Sequence, residues 1–136
     1  MAIGVMSDRR HVLVLEPNSP LRRAIHELLT AEDYEVIECD SLEQVLRYAA
    51  STSQPLPVGL VAWQSMDGML ADAHRHRLVQ LTDHLRLVLM VPRRWKRLLE
   101  QSDLDFLGMV AKPFDADELL EALSVAFVRA PVATWR

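Results

Sequence analysis

The chain is poor in the features that staple, anchor or strongly charge a protein. It has a single cysteine, Cys39, so no internal disulfide can form and no oxidising compartment is required. Nothing in it approaches the ~18 consecutive apolar residues of a membrane span, so no membrane association is expected. The opening Met1 to Met6 is mildly apolar, but it lacks a basic leader and meets Ser7-Asp8-Arg9-Arg10 too soon for a signal peptide. The simplest location is the cytoplasm. Net charge is small too: 15 basic and 19 acidic residues leave −4, so bulk charge gives no attraction to phosphate backbones. A nucleic-acid partner is therefore not expected without a local basic patch. Repeats and low-complexity tracts are absent. What the chain does have is a hydrophobic fraction of 50% over 136 residues, too high for disorder at this net charge. A domain of that size buries roughly two-thirds of its unfolded surface, enough for a core without metal or disulfide.

Hydrophobic patterning divides the chain into alternating elements. His11 to Leu15 is an almost continuous Val/Leu run, as expected of a strand buried on both faces. Asn18-Ser19-Pro20 reads as a helix start, followed by the stripe Leu21, Ala24, Ile25, Leu28 and Leu29. Tyr34 to Cys39 is a second strand. Ser41-Leu42-Glu43-Gln44 forms a capping box for a helix with Leu42, Val45, Leu46 and Ala49 on one face. Ser51 to Pro57 is a loop, Val58 to Trp63 a third strand, and much of Met69 to Leu81 a third helix. Leu85 to Val91 is a fourth strand, and Pro92 opens a fourth, basic helix ending near Ser102. Phe106 to Ala111 is a fifth strand, and Asp115 with Glu118 caps a last helix whose stripe is Leu119, Leu123, Ala126 and Phe127. Strands alternating with helices imply right-handed βαβ units. The expected fold is a doubly wound, flavodoxin-like α/β three-layer sandwich, (βα)5, with a parallel five-stranded sheet of order 2-1-3-4-5 and its site at the carboxyl ends of the strands.

This layout, with Pro20-Leu21-Arg22 in the first helix, Glu35-Val36 in the second strand and Ala111-Lys112-Pro113-Phe114 after the fifth, resembles the receiver domain of bacterial two-component response regulators, the CheY-like family. The resemblance covers residues 11–129, between a lead at 1–10 and a tail at 130–136. It implies phosphoryl transfer to an aspartate at the end of the third strand. Mg²⁺ would be held by two further acids after the first strand, with a hydroxyl at the end of the fourth strand and a lysine after the fifth. This sequence departs from that pattern. The acidic pair becomes Glu16-Pro17. The acceptor position falls on Trp63, or on Gln64 if the register slips by one. The hydroxyl position falls on Val91, and the switch aromatic of the fifth strand on Met109. Glu16 and Lys112 remain, at the carboxyl edge on adjacent or near-adjacent strands, where they are expected to form a partly exposed pair of little net stability. The loop after the third strand is shortened, and Asp67 corresponds to a Met-Asp-Gly that the family carries downstream of its acceptor. Mg²⁺ binding and any other cofactor are not expected.

Arg93-Arg94-Trp95-Lys96-Arg97 sets four cations and an aromatic in the first turns of the basic helix. Cations are unfavourable at a helix N-terminus, so helix stability does not explain them. They suit a contact surface anchored by Trp95, or a solvated face whose tryptophan packs onto the core. His74 and His76, two apart in a helix, point roughly 200° apart and cannot chelate one metal together. Cys39 reads as a small core residue. The resemblance implies that the fourth helix, fifth strand and fifth helix form the face used for dimerisation and output. The expectation is an atypical, degenerate receiver that is not an enzyme. It would signal by phosphorylation-independent binding of a protein partner on that face, with a homodimer as another use of it. Only seven residues follow Arg129, so output is expected through partners. The alternatives are a conventional receiver with Asp67 as a displaced acceptor, or a nucleic-acid-binding regulator using the basic helix.

Overall fold

The computed structural model describes residues 10–51, 57–62, 85–100 and 108–128. In chain order they form β1 (His11–Leu15), α1 (Ser19–Ala31), β2 (Glu35–Glu38), α2 (Leu42–Ser51), β3 (Val58–Ala62), β4 (Arg86–Pro92), α3 (Arg93–Glu100), β5 (Gly108–Lys112) and α4 (Ala116–Val128). The helix expected over Met69 to Leu81 lies outside the described residues, so α3 is the basic helix and α4 the last one. The five strands pair in parallel in the order β2-β1-β3-β4-β5, the doubly wound arrangement that the alternation implies.

Side-chain alternation along the strands splits the interior into two cores, one on each face of the sheet. Val12, Val14, Val58, Leu60, Ala62, Val88, Met90 and Val110 meet Ile25 and Leu29 of α1 and Leu119, Leu123 and Ala126 of α4. On the other face Leu13, Leu15, Val61, Leu87, Leu89 and Val91 meet Val45 and Ala49 of α2. Gly59 has its place on β3 because a Cβ there would lie 2.9 Å from Leu85, itself buried.

Local chemistry sets the helix ends. Asn18 Oδ1 accepts the Leu21 N–H at 2.9 Å, and Pro20 lies in the first turn of α1. Asp33 adopts the left-handed region (φ 68°) just past the other end, and the Tyr34 N–H returns to the Leu29 carbonyl at 3.0 Å. The capping box of α4 is complete: Asp115 N–H donates to Glu118 Oε1 at 2.9 Å and Glu118 N–H to Asp115 Oδ1 at 2.8 Å. That of α2 is displaced. Gln44 N–H donates to Ser41 Oγ at 3.2 Å, but Gln44 Oε1 accepts from Asp40 N–H, one residue earlier than expected. Arg86 Nη1 donates to the Phe127 carbonyl at 2.6 Å, placing a cation at the C-terminal end of α4, where the helix dipole favours it.

Three expectations need correction. β2 is shorter than Tyr34 to Cys39, spanning Glu35–Glu38. Pro92 does not open the basic helix; it is the last residue of β4, in register with Lys112, a strand end where its missing N–H is tolerated. Ala24 is exposed and takes no part in the α1 stripe, which consists of the buried Ile25 and Leu29 with Leu21 and Leu28 packed against the same core. In urea denaturation Asp115→Ala should cost about 1 kcal/mol through the lost cap, whereas Ala24→Gln should stay within about 0.5 kcal/mol of wild type.

Candidate functional site

The carboxyl edge of the sheet is organised by one buried charge. Glu16 leaves the end of β1 and is the one buried polar or charged residue among those described. A carboxylate without water is costly unless each oxygen finds a donor. Here Oε1 accepts from Lys112 Nζ at 2.6 Å and Oε2 from the Asn18 N–H at 2.9 Å. The Glu16 backbone carbonyl accepts from Arg22 Nη1 at 2.8 Å, which fixes the turn into α1. The Glu16 side chain has 0% of its surface exposed and that of Lys112 21%.

The sequence led to a partly exposed pair on adjacent or near-adjacent strands; the lysine is partly exposed, but the glutamate is not, and the two strands are not adjacent. The sheet order puts β3 and β4 between β1 and β5, and the two side chains meet across that gap. The residues at those two strand ends are therefore what an acceptor and a hydroxyl would have to be. Trp63 and Gln64 lie outside the described residues, and β3 ends at Ala62. Val14 pairs with Leu60 and Leu15 with Val61, so one further step in register sets Ala62 beside Glu16. Ala62 is fully buried on the face shared by Val14 and Val110. Val91, expected at the hydroxyl position, points to the opposite face and is buried in the α2-side core. Pro92 is the β4 residue that stands at the edge against Lys112. Among the described residues the edge thus carries a methyl group at the end of β3, a pyrrolidine ring at the end of β4 and an ion pair.

The described residues do not fit a Mg²⁺ site. Glu16 has no exposed side-chain surface and is paired with Lys112, Pro17 has no side-chain oxygen, and Ala62 offers none. Among the described residues no three of His, Cys, Asp and Glu cluster closely enough to hold a metal.

The basic helix is not uniform. Arg93, Arg94 and Arg97 are exposed, Lys96 is half-buried, and Arg93 Nη2 donates to the Pro113 carbonyl at 2.9 Å. Residue 95 lies within α3, but the packing of the Trp95 side chain lies outside what is described. Met109, expected on the contact surface, is half-buried and packs against the α2-side core, so only part of it remains available to a partner. His74, His76 and Asp67 lie outside the described residues.

Sequence reasoning missed a polar cluster on α1. Glu38, at the end of β2, receives Arg22 Nε at 3.4 Å and lies 2.9 Å from His26 Nδ1. With Ser19, Arg23 and Glu27 these residues line a cleft of about 450 Å³. Arg22 and His26 stand one helical turn apart, but only the sheet order brings them to Glu38. Cys39 is buried as expected; burial first, then the negative charge of Asp40, push its thiol above the ordinary range.

No protein-family model matches the sequence, and no curated protein matches it. Solved structures do. A response regulator receiver domain protein from Clostridium thermocellum superposes with a TM-score of 0.68 at 18% identity, covering 87% of this chain and 94% of that one. A signal receiver domain of an HD domain-containing protein from Pseudomonas fluorescens Pf-5 gives 0.66 at 20% identity, covering 87% and 94%. A structure described as a transiently phosphorylated switch in bacterial signal transduction gives 0.68 at 22%, covering 88% and 94%. The chain has the receiver-domain fold.

Two outcomes follow. Lys112→Met alone strands a buried carboxylate and should lower stability by about 3–5 kcal/mol, whereas Glu16→Leu with Lys112→Met should recover most of it in chemical denaturation. Native Cys39 should resist iodoacetamide at pH 8 and react at the normal rate once unfolded. Because its folded thiol titrates above the unfolded one, the stability it contributes is complete at neutral pH and is lost as pH rises above the ordinary thiol range.

Proposed function

We propose that this protein is a degenerate receiver that acts in signal transduction without aspartyl phosphorylation, by binding a protein partner. One observation carries the reading: Ala62 and Pro92 occupy the strand ends where the chemistry needs a carboxylate and a hydroxyl, while Lys112 is bound to a buried Glu16. An acyl phosphate requires a carboxylate nucleophile, and Mg²⁺ requires open oxygen ligands; the edge supplies neither among its described residues. The protein is accordingly a binding module and no enzyme, and it takes no Mg²⁺.

The partner face in this reading is α3 with β5 and α4. Arg93, Arg94 and Arg97 are exposed there, which suits an acidic protein surface, with Trp95 as the anchor that gives affinity while the cations set on-rate and specificity. A second copy of the chain is the other protein that could use this face. With no phosphoryl group to bind one state better than another, the face holds a single conformation. Control then comes from abundance or from the partner's own state.

Incubation with acetyl phosphate and Mg²⁺ should add no phosphate to the wild type by intact-mass spectrometry. Stoichiometric labelling abolished by Asp67→Asn would instead establish the displaced-acceptor alternative. In affinity capture, neutralising Arg93, Arg94, Lys96 and Arg97 should remove the partner. Trp95→Ala should weaken it by about 2 kcal/mol or more, beyond any single arginine change. Capture of nucleic acid with a steep loss of binding on added salt would favour the nucleic-acid reading.

A further inference from the structure

A second cleft, also of about 450 Å³, opens beside the Glu16–Lys112 pair and is lined by Leu21, Pro92, Lys112, Pro113 and Phe114. Its size lies within the range of small-molecule sites, and apolar walls with one polar group are the usual composition of such sites. The walls are held from behind. The Leu21 N–H is fixed by Asn18, Pro92 is in register with Lys112, and the Pro113 carbonyl accepts from Arg93. Phe114 is half-buried and packs against the α1/α4 core.

The charge state of the pair selects what can enter. A cation finds no carboxylate among the described lining residues, and Glu16, with no exposed side-chain surface, is already paired with Lys112. An anion would share the Lys112 ammonium with Glu16, setting a second negative charge close to a carboxylate that is itself fully buried. An ammonium has three N–H donors, and Lys112, partly exposed, directs one of them to Glu16. A neutral acceptor can take another without disturbing the balance. We propose that this cleft binds a small, uncharged, largely apolar molecule bearing a carbonyl-type acceptor, the acceptor on Lys112 and the apolar body between Leu21, Pro92, Pro113 and Phe114. The inference rests on the same closed pair as the proposed function. Uptake of phosphate by the wild type would refute that function, whereas failure of the probe titration below refutes the ligand alone.

The test compares three molecules of similar shape, acetophenone, benzoate and ethylbenzene, titrated into the full chain and followed by two-dimensional NMR. Acetophenone should give saturable shifts at Leu21, Lys112 and Phe114, and the other two should bind at least about fivefold more weakly, reflecting a lost hydrogen bond or an added charge. Phe114→Ala and, independently, Leu21→Ser at the half-exposed start of α1 should each weaken acetophenone by at least about fivefold while the remaining spectrum stays folded. Benzoate binding equally well or better would overturn the selection for a neutral ligand. Ethylbenzene binding equally well would remove the role of Lys112, and the absence of saturable shifts at these residues would overturn the site.

Discussion

The contact between Lys112 and Glu16 closes the carboxyl edge of the sheet, and most of what the edge can do follows from it. Glu16 has left water entirely, so its charge is tolerable only with an ammonium and a backbone N–H on its two oxygens. Meeting that requirement ties β1 and the turn into α1 to β5, across the ends of β3 and β4. It also pairs the one buried carboxylate of the described edge with the one ammonium beside it. In a site with further acids the same lysine could exchange partners. Here the described edge offers it one carboxylate, with Ala62 as the last described residue of β3 and Pro92 at the end of β4 in register with Lys112.

What could be read from sequence was what depends on local chemistry. The Val/Leu run of β1, the Asn18 cap of α1 and the Asp115–Glu118 box of α4 are settled by residues a few positions apart, and each stands where its pattern places it. The strand order followed from the alternation of elements and the handedness of crossovers. The edge residues were harder for a geometric reason. A strand presents alternate residues to opposite faces, so an error of one position changes a core residue into a site residue. Val91 and Pro92 differ by that one step: Val91 packs in the α2-side core and Pro92 stands against Lys112. Ala62 is the last described residue of β3, and Trp63 and Gln64, where the acceptor position was expected, lie outside the described residues.

Burial of the pair was not legible at all. Glu16 and Lys112 are 96 residues apart, and no short-range pattern says that one of them has no exposed surface. The same holds for Glu38, which meets Arg22 and His26 only because β2 lies beside β1 and under α1. Such contacts belong to topology, and they are where the polar chemistry of this fold resides.

The central claim is that the Glu16–Lys112 pair stays closed under conditions that would activate a phosphorylatable edge. The Lys112 ammonium can be observed directly by proton–nitrogen NMR while Mg²⁺ and beryllofluoride are added to the wild-type chain. The account predicts an unchanged Lys112 resonance and an unchanged coupling to Glu16 at saturating reagent. A saturable shift of that resonance, with loss of the coupling to Glu16, would show that the lysine exchanges its partner for a phosphoryl mimic and would contradict the account.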